Sequence, residues 1–214
     1  MVKVKIYLTA AVITAALVMS GFALNWYFNE AQQTELARSI TSLETSISES
    51  QLELLYVTEF SNQGCDVLEE SRRGTTETLI SANRKLTAAE ENTVLPDWEW
   101  DHLKTEQTVL YIKLWMLTQK MYEMCNRNIS TMLYFFDTTS YASKQQGYVL
   151  DSITNEYGAE RVLVVPLDYN FDMGIIRILR AQFNVTSAPT IVVNEKTKLE
   201  GLNSKADIVS AANL

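Results

Sequence analysis

A run without charge near the start of the chain constrains its fold most. Residues 6–28 carry no charged side chain, and Lys3 and Lys5 precede them. A helix rising about 1.5 Å per residue over this length crosses the roughly 30 Å hydrocarbon core of a bilayer. Residues 1–28 therefore predict a short cytoplasmic stub and one membrane-spanning helix.

The residues that flank this run predict its orientation. Basic residues favour the cytoplasmic side, and Trp26 and Tyr27 suit the opposite interface, so residues 29–214 are expected outside the cytoplasm of a single-pass membrane protein. The alternative is a cleaved signal peptide, with Gly21 and Ala23 as the small residues before the cut. Both interpretations place the rest of the chain outside the cytoplasm.

Residues 29–128 predict a helical stalk. A first apolar seam has three- and four-residue spacing, which is typical of a coiled coil and would let the stalk pair with a second copy. Its members are Leu36, Ile40, Leu43, Ile47, Leu54 and Val57. The seam loses phase near Gly74, which suggests either a kink or a restart, with Thr75 or Thr76 as the N-cap of a helix that ends near Asn92.

A second stripe follows the turn at Pro96, so two antiparallel helices are expected. The stripe comprises Leu103, Leu110, Leu114, Leu117, Met121 and Met124. Cys65 and Cys125 are equally distant from Leu95 in that turn, so equal helical rise brings them to the same height, as a disulfide requires. A redox-active pair and two separate buried thiols are the alternatives.

Charge and metal-ligand counts exclude several classes of partner. The formal net charge is −8, which disfavours nucleic acid because phosphate binding needs clustered cations. One histidine and two cysteines are too few for common zinc sites, which use three or four such ligands. We expect no metal and no cofactor.

Residues 129–214 alternate strand and helix patterns. Short apolar runs at 132–136, 161–168 and 190–194 predict buried strands, with helices between them and a last helix at 204–212. A strand, a helix and a second strand imply a parallel crossover.

Three stretches of this region, in order, resemble the thioredoxin family. Residues 135–144 (FFDTTSYASK) align with the family's strand and Trp-Cys-Gly-Pro-Cys-Lys turn, and residues 164–168 (VVPLD) with the next strand and its terminal Asp. Residues 183–190 (FNVTSAPT) resemble the segment with the family's cis-proline, which would be Pro189. The resemblance implies a thioredoxin-like domain at 129–214, with the last hairpin strand trimmed.

The departures from the family determine the functional prediction. Ser140 and Ser143 replace the two redox cysteines, and Tyr134 replaces the family's buried Asp. A serine hydroxyl cannot exchange disulfides, and residues 129–214 contain no histidine to activate one. The sequence therefore favours a protein that is not an enzyme.

The resemblance also implies a binding surface. Its members would be Ser140, Tyr141, Ala142, Ser143, Ala188 and Pro189, which in related folds grip extended peptide through backbone hydrogen bonds. The alternative is structural: the serines only cap a helix, and the proline only sets a turn.

Together these features predict an α/β thioredoxin-like domain on a helical hairpin with an N-terminal membrane helix. We expect a protein-interaction, assembly or chaperone-like role with a protein or peptide client. The alternative is a thiol-disulfide oxidoreductase or isomerase that uses Cys65 and Cys125.

Overall fold

A computed structural model of the chain describes residues 64–92 and 96–214, together with Met19. The chain divides into two units, Met1–Leu55 and Tyr56–Leu214, and every element below lies in the second. Apart from Met19, the predicted membrane helix at 6–28 lies outside the described residues, as does the seam at 36–57. No helix in the described part is long and apolar enough to cross a bilayer.

Two long helices, α1 (Cys65–Asn92) and α2 (Asp97–Cys125), form the expected hairpin. Leu79 and Ala82 of α1 pack against Leu110 and Leu114 of α2. The predicted disulfide between Cys65 and Cys125 is present, with 5.6 Å between the Cα atoms. It joins the first residue of α1 to the last residue of α2, at the end of the hairpin opposite the turn.

The expected restart near Gly74 is wrong, because α1 continues through it. The hydroxyls of Thr75 and Thr76 donate to the carbonyls of Ser71 and Arg72, one turn back, at 2.8 Å each. A threonine hydroxyl can bond within a helix in this way instead of capping a new one.

A mixed sheet follows, in the order β2-β1-β3-β4. β1 pairs parallel with β2, whereas β3 is antiparallel to both β1 and β4. The elements are β1 (Ser130–Phe136), α3 (Tyr141–Tyr157), β2 (Val162–Asp168), α4 (Gly174–Gln182), β3 (Thr190–Val193), β4 (Thr197–Glu200) and α5 (Lys205–Ala212). The strand expected to be trimmed is therefore present as β4, with four residues.

Both faces of the sheet are covered. Leu133 and Phe135 of β1 face a core that includes Ile112 and Trp115 of α2 and Leu179 of α4. Residues on the other face of β1, such as Met132, pack with α3 and α5. α2 therefore belongs both to the hairpin and to the core of the sheet, while the predicted domain boundary at residue 129 stays a prediction.

Candidate peptide-binding site

The predicted site residues meet where β1 ends and β3 begins. Ser140 and Tyr141 follow β1 by a short turn, while Ala188 and Pro189 directly precede β3. Phe135 pairs with Thr190, so the antiparallel register continued by one residue sets Pro189 beside Phe136. The Ala188–Pro189 peptide is cis, as the resemblance implies. We call this end of the sheet the carboxyl edge, after the ends of the parallel strands β1 and β2.

The two serines are engaged in local hydrogen bonds. Ser140 is the N-cap of α3, and its hydroxyl oxygen accepts from the Ser143 N–H at 3.3 Å. Ser143 is 2% exposed, and its hydroxyl oxygen accepts from the Asp137 N–H at 3.0 Å. These bonds fit the interpretation that the two serines cap α3 and hold the turn before it.

Tyr134 is hydrogen-bonded to the same turn, at Ser143. Its side chain is buried, and its hydroxyl donates to the Ser143 carbonyl. Burial raises the pKa of Tyr134 to about 12, and the bond to Ser143 opposes that shift only in part. The phenol is therefore neutral at physiological pH and acts as a hydrogen-bond donor. A carboxylate at this position could instead act as a base.

Asp137 closes the turn between β1 and α3. The hydroxyl and N–H of Thr139 both donate to one carboxylate oxygen of Asp137, at 2.7 and 2.8 Å. These bonds, led by the hydroxyl, lower the pKa of Asp137. The carboxylate stays ionised, and its bonds to Thr139 fix the turn.

Sequence reasoning missed a third segment at this edge, the loop 201–203. The Gly201 N–H donates to the Pro189 carbonyl at 2.8 Å, and the Asn203 N–H donates to the side-chain oxygen of buried Gln146 at 2.6 Å. Leu202 between them is 58% exposed. Gly201 has a φ of 73°, a conformation that glycine adopts readily. This glycine is the sequence feature that could have predicted the turn.

In the loop before β3, one residue has both its backbone N–H and its carbonyl unpaired within the described part of the chain. The carbonyls of Thr186, Ser187 and Pro189 accept from the Tyr169 hydroxyl, the Thr190 hydroxyl and the Gly201 N–H, at 2.9, 2.8 and 2.8 Å. Among the described residues, the N–H and carbonyl of Ala188 have no such partner. An unpaired donor and acceptor on one residue can pair with the main chain of an incoming strand.

Apolar side chains are exposed at the same edge. Tyr141, directly after the Ser140 cap, is 76% exposed, and Leu202 lies next to the residue that bonds Pro189. Exposed aromatic and aliphatic groups beside an unpaired backbone unit can bind a side chain and the main chain of one peptide together.

The disulfide lies at the opposite edge of the sheet. α2 runs along the sheet from one edge to the other. Near the start of α2, the Lys104 Nζ atom lies 3.4 Å from Oδ2 of Asp168, at the end of β2. Near its other end, the Gln119 amide donates to the Thr131 hydroxyl at the start of β1, at 3.2 Å. Cys125 therefore lies about one strand length from the carboxyl edge, which is on the order of 20 Å for seven residues with a rise of about 3.3 Å per residue.

No group of three or more carboxylate, histidine or cysteine residues in the described segments is arranged to hold a metal ion.

The element order, the parallel β1–β2 pair and the antiparallel β3–β4 hairpin with helices on both faces define a thioredoxin-like α/β fold. No family model matches the chain, and a search of curated proteins finds no match.

Three solved structures illustrate the likeness. A malarial protein is 26% identical over 40% of this chain and 96% of its own, with a TM-score of 0.33. Chloroplastic thioredoxin z is 24% identical over 45% and 86%, with a TM-score of 0.34. Mitochondrial thioredoxin 3 from Saccharomyces cerevisiae is 19% identical over 45% and 90%, with a TM-score of 0.35.

Proposed function

We propose that this chain is a thioredoxin-like protein without thiol chemistry that binds extended polypeptide at its carboxyl edge. It acts in protein interaction, assembly or chaperone-like holding, and is not an enzyme. The observation that carries this proposal is the unpaired backbone unit of Ala188, at the edge that also exposes Tyr141 and Leu202.

The side chains beside Ala188 support a binding role over a redox role. Ser140 and Ser143 cannot form a disulfide with each other or with a substrate. Tyr134 donates a hydrogen bond to the Ser143 carbonyl, and its raised pKa keeps it from serving as a base near neutral pH. The remaining capacity of the edge is main-chain pairing and apolar contact.

A membrane location is the second part of the proposal. The uncharged residues 6–28, with Lys3 and Lys5 before them, support one spanning helix with its N-terminus in the cytoplasm. The protein would then present its peptide-binding edge outside the cytoplasm, and the seam at 36–57 would allow two copies to pair.

The test measures peptide binding by the full-length chain in mild detergent. An array of 12-residue peptides, each with an apolar residue at its centre, selects the tightest probe. We expect Tyr141→Ala and Leu202→Asp each to weaken binding of that probe about tenfold, the effect of losing a contact of about 1.4 kcal/mol.

Matched controls come from the same structure. Tyr148→Ala removes a tyrosine that is 57% exposed two turns further along α3, and Ile178→Asp changes an aliphatic residue on α4 that is 61% exposed. Both should leave affinity within about twofold. The proposal would be contradicted if none of the array peptides binds, or if the control variants lose as much peptide affinity as Tyr141→Ala and Leu202→Asp do.

Thiol-disulfide exchange at Cys65–Cys125 is the second candidate, favoured by the exposure of Cys65. The reduction potential of this bond separates the two functions. A value below about −300 mV indicates a structural crosslink, whereas one between about −200 and −120 mV, with exchange onto a test peptide, would support an oxidoreductase.

A further inference from the structure

We propose that Tyr169 is a positioning residue for the peptide-binding edge, fixing the loop 186–189 so that Ala188 presents its N–H and carbonyl to a peptide. This inference rests on the proposed function. It assigns a role to a side chain outside the turn and proline segments that the family resemblance marks.

Tyr169 contacts two of the segments at the carboxyl edge, the end of β1 and the loop before β3. Its N–H donates to the carbonyl of Phe136, the last residue of β1, at 2.8 Å. Its hydroxyl donates to the carbonyl of Thr186 at 2.9 Å. One residue therefore spans from the end of β1 to the loop before β3.

Arg180 fixes the ring of Tyr169 in place. The guanidinium carbon of Arg180 lies 3.6 Å from the centre of the ring, and one guanidinium N–H donates to the Tyr169 carbonyl at 3.1 Å. A cation stacked on an aromatic face and bonded to the same residue restricts the ring to one orientation. The hydroxyl is thereby aimed at Thr186.

The bond at Thr186 matters because Ala188 is only two residues further on. The Ser187 carbonyl is held by the Thr190 hydroxyl, and the Pro189 carbonyl by the Gly201 N–H. Tyr169 supplies the third bond, to the Thr186 carbonyl. Without it, the backbone before Ala188 gains conformational freedom that a peptide must remove on binding.

Tyr169→Phe tests the inference because it removes only the hydroxyl and keeps the stacked ring. The matched control is Tyr111→Phe, at a half-buried tyrosine of α2 whose hydroxyl accepts from the Asn83 amide at 3.3 Å. Both variants lose one hydrogen bond, but only the first loses it at the loop. The measurements are affinity for the selected array peptide and amide hydrogen exchange at Gly201, whose N–H donates to the Pro189 carbonyl, in the full-length chain.

We expect Tyr169→Phe to weaken peptide binding about three- to tenfold, the range for one hydrogen bond, and to speed amide exchange at Gly201, because a freer loop opens the bond to Pro189 more often. Tyr111→Phe should change neither. If the wild type binds peptide and Tyr169→Phe binds equally well, the role of Tyr169 is refuted and the proposed function stands. If the wild type binds no peptide, the proposed function fails, and the role of Tyr169 with it.

Discussion

The two edges of the parallel strand pair are built differently. At the edge where β1 and β2 begin, a disulfide joins the two long helices, and the Gln119 amide bonds to Thr131 at the start of β1. At the carboxyl edge, the segments are held by noncovalent contacts such as the Lys104–Asp168 ion pair, and the backbone of Ala188 is left unpaired within the described chain. The first edge is covalently closed, whereas the second exposes groups that a partner can use.

This difference between the two edges indicates that the stability of the fold and the binding of peptide depend on different parts of the molecule. A crosslink acts mainly by restricting the unfolded chain, so its benefit does not depend on the edge where it lies. An exposed, unpaired backbone unit contributes nothing to stability and is useful only when a partner satisfies it. Changes at the first edge should therefore alter stability alone, and changes at the second should alter binding.

The largest effect is expected from removing the disulfide in a Cys65→Ala/Cys125→Ala variant. The bond closes a loop with a sequence separation of 60, so the chain-entropy relation gives a loss of about 4 kcal/mol in unfolding free energy. Denaturant unfolding followed by tryptophan fluorescence measures that loss. Peptide affinity should stay within about twofold at temperatures where the variant is folded, and a larger fall would show that the two edges are coupled.

Gln146→Leu should have the next largest effect, and should alter both properties. The Gln146 side chain is fully buried and accepts from the Asn203 N–H, so the variant frees the loop 201–203. We expect a loss of about 2 kcal/mol in unfolding free energy, together with weaker peptide binding.

Gln119→Leu is the matched change at the opposite edge. It removes the half-buried amide that bonds Thr131, and should cost about 1 kcal/mol or less with peptide affinity unchanged. Equal losses of binding in the two glutamine variants would refute the separation of the edges.

Tyr134→Phe should cost about 1 to 1.5 kcal/mol at neutral pH, because the Ser143 carbonyl loses its donor. The pH dependence gives a sharper test. Burial raises the pKa of Tyr134 from 10.0 to about 12, so the folded state keeps its proton where the unfolded state releases it. The stability contributed by this tyrosine is fully present below pH 10 and is lost as the pH rises towards about 12.

Unfolding free energies of the wild type and Tyr134→Phe, compared at a series of pH values, isolate this contribution from other groups that titrate in alkali. The difference between the two proteins should shrink above pH 10. A constant difference up to about pH 12 would show that the Tyr134 pKa is not raised in the folded state.

Local patterns predict most of the elements in this fold. The run at 132–136 is buried on both faces of the sheet, so its continuous apolar character identified β1. Equal spacing from the turn identified the cysteine pair, because two straight helices have the same rise per residue. Such features depend on residues close in sequence or on one simple hairpin.

Features that depend on tertiary contact were not predictable in the same way. The stripe with Leu110 and Leu114 marks only the side of α2 that packs on α1, whereas Ile112 and Trp115 face the sheet. A helix buried on several sides has no single apolar stripe to predict its second partner. Tyr169 and Gln146 act through residues remote in sequence, and nothing in their local sequence indicates this.

Ser140→Ala should have the smallest effect, about 0.5 to 1 kcal/mol in unfolding free energy, because its hydroxyl caps α3 through a bond of 3.3 Å. Ser152→Ala removes an exposed serine hydroxyl further along α3, which accepts from the Lys205 ammonium at 2.9 Å, and should cost about 0.5 kcal/mol or less. The two variants differ in position, since Ser140 lies in the turn between β1 and α3, whereas Ser152 lies about 18 Å further along the same helix. If Ser140 contributes to the binding edge, only Ser140→Ala will weaken peptide binding; if both variants bind as the wild type does, this serine only caps the helix, and recognition depends on Tyr141, Leu202 and the Ala188 backbone.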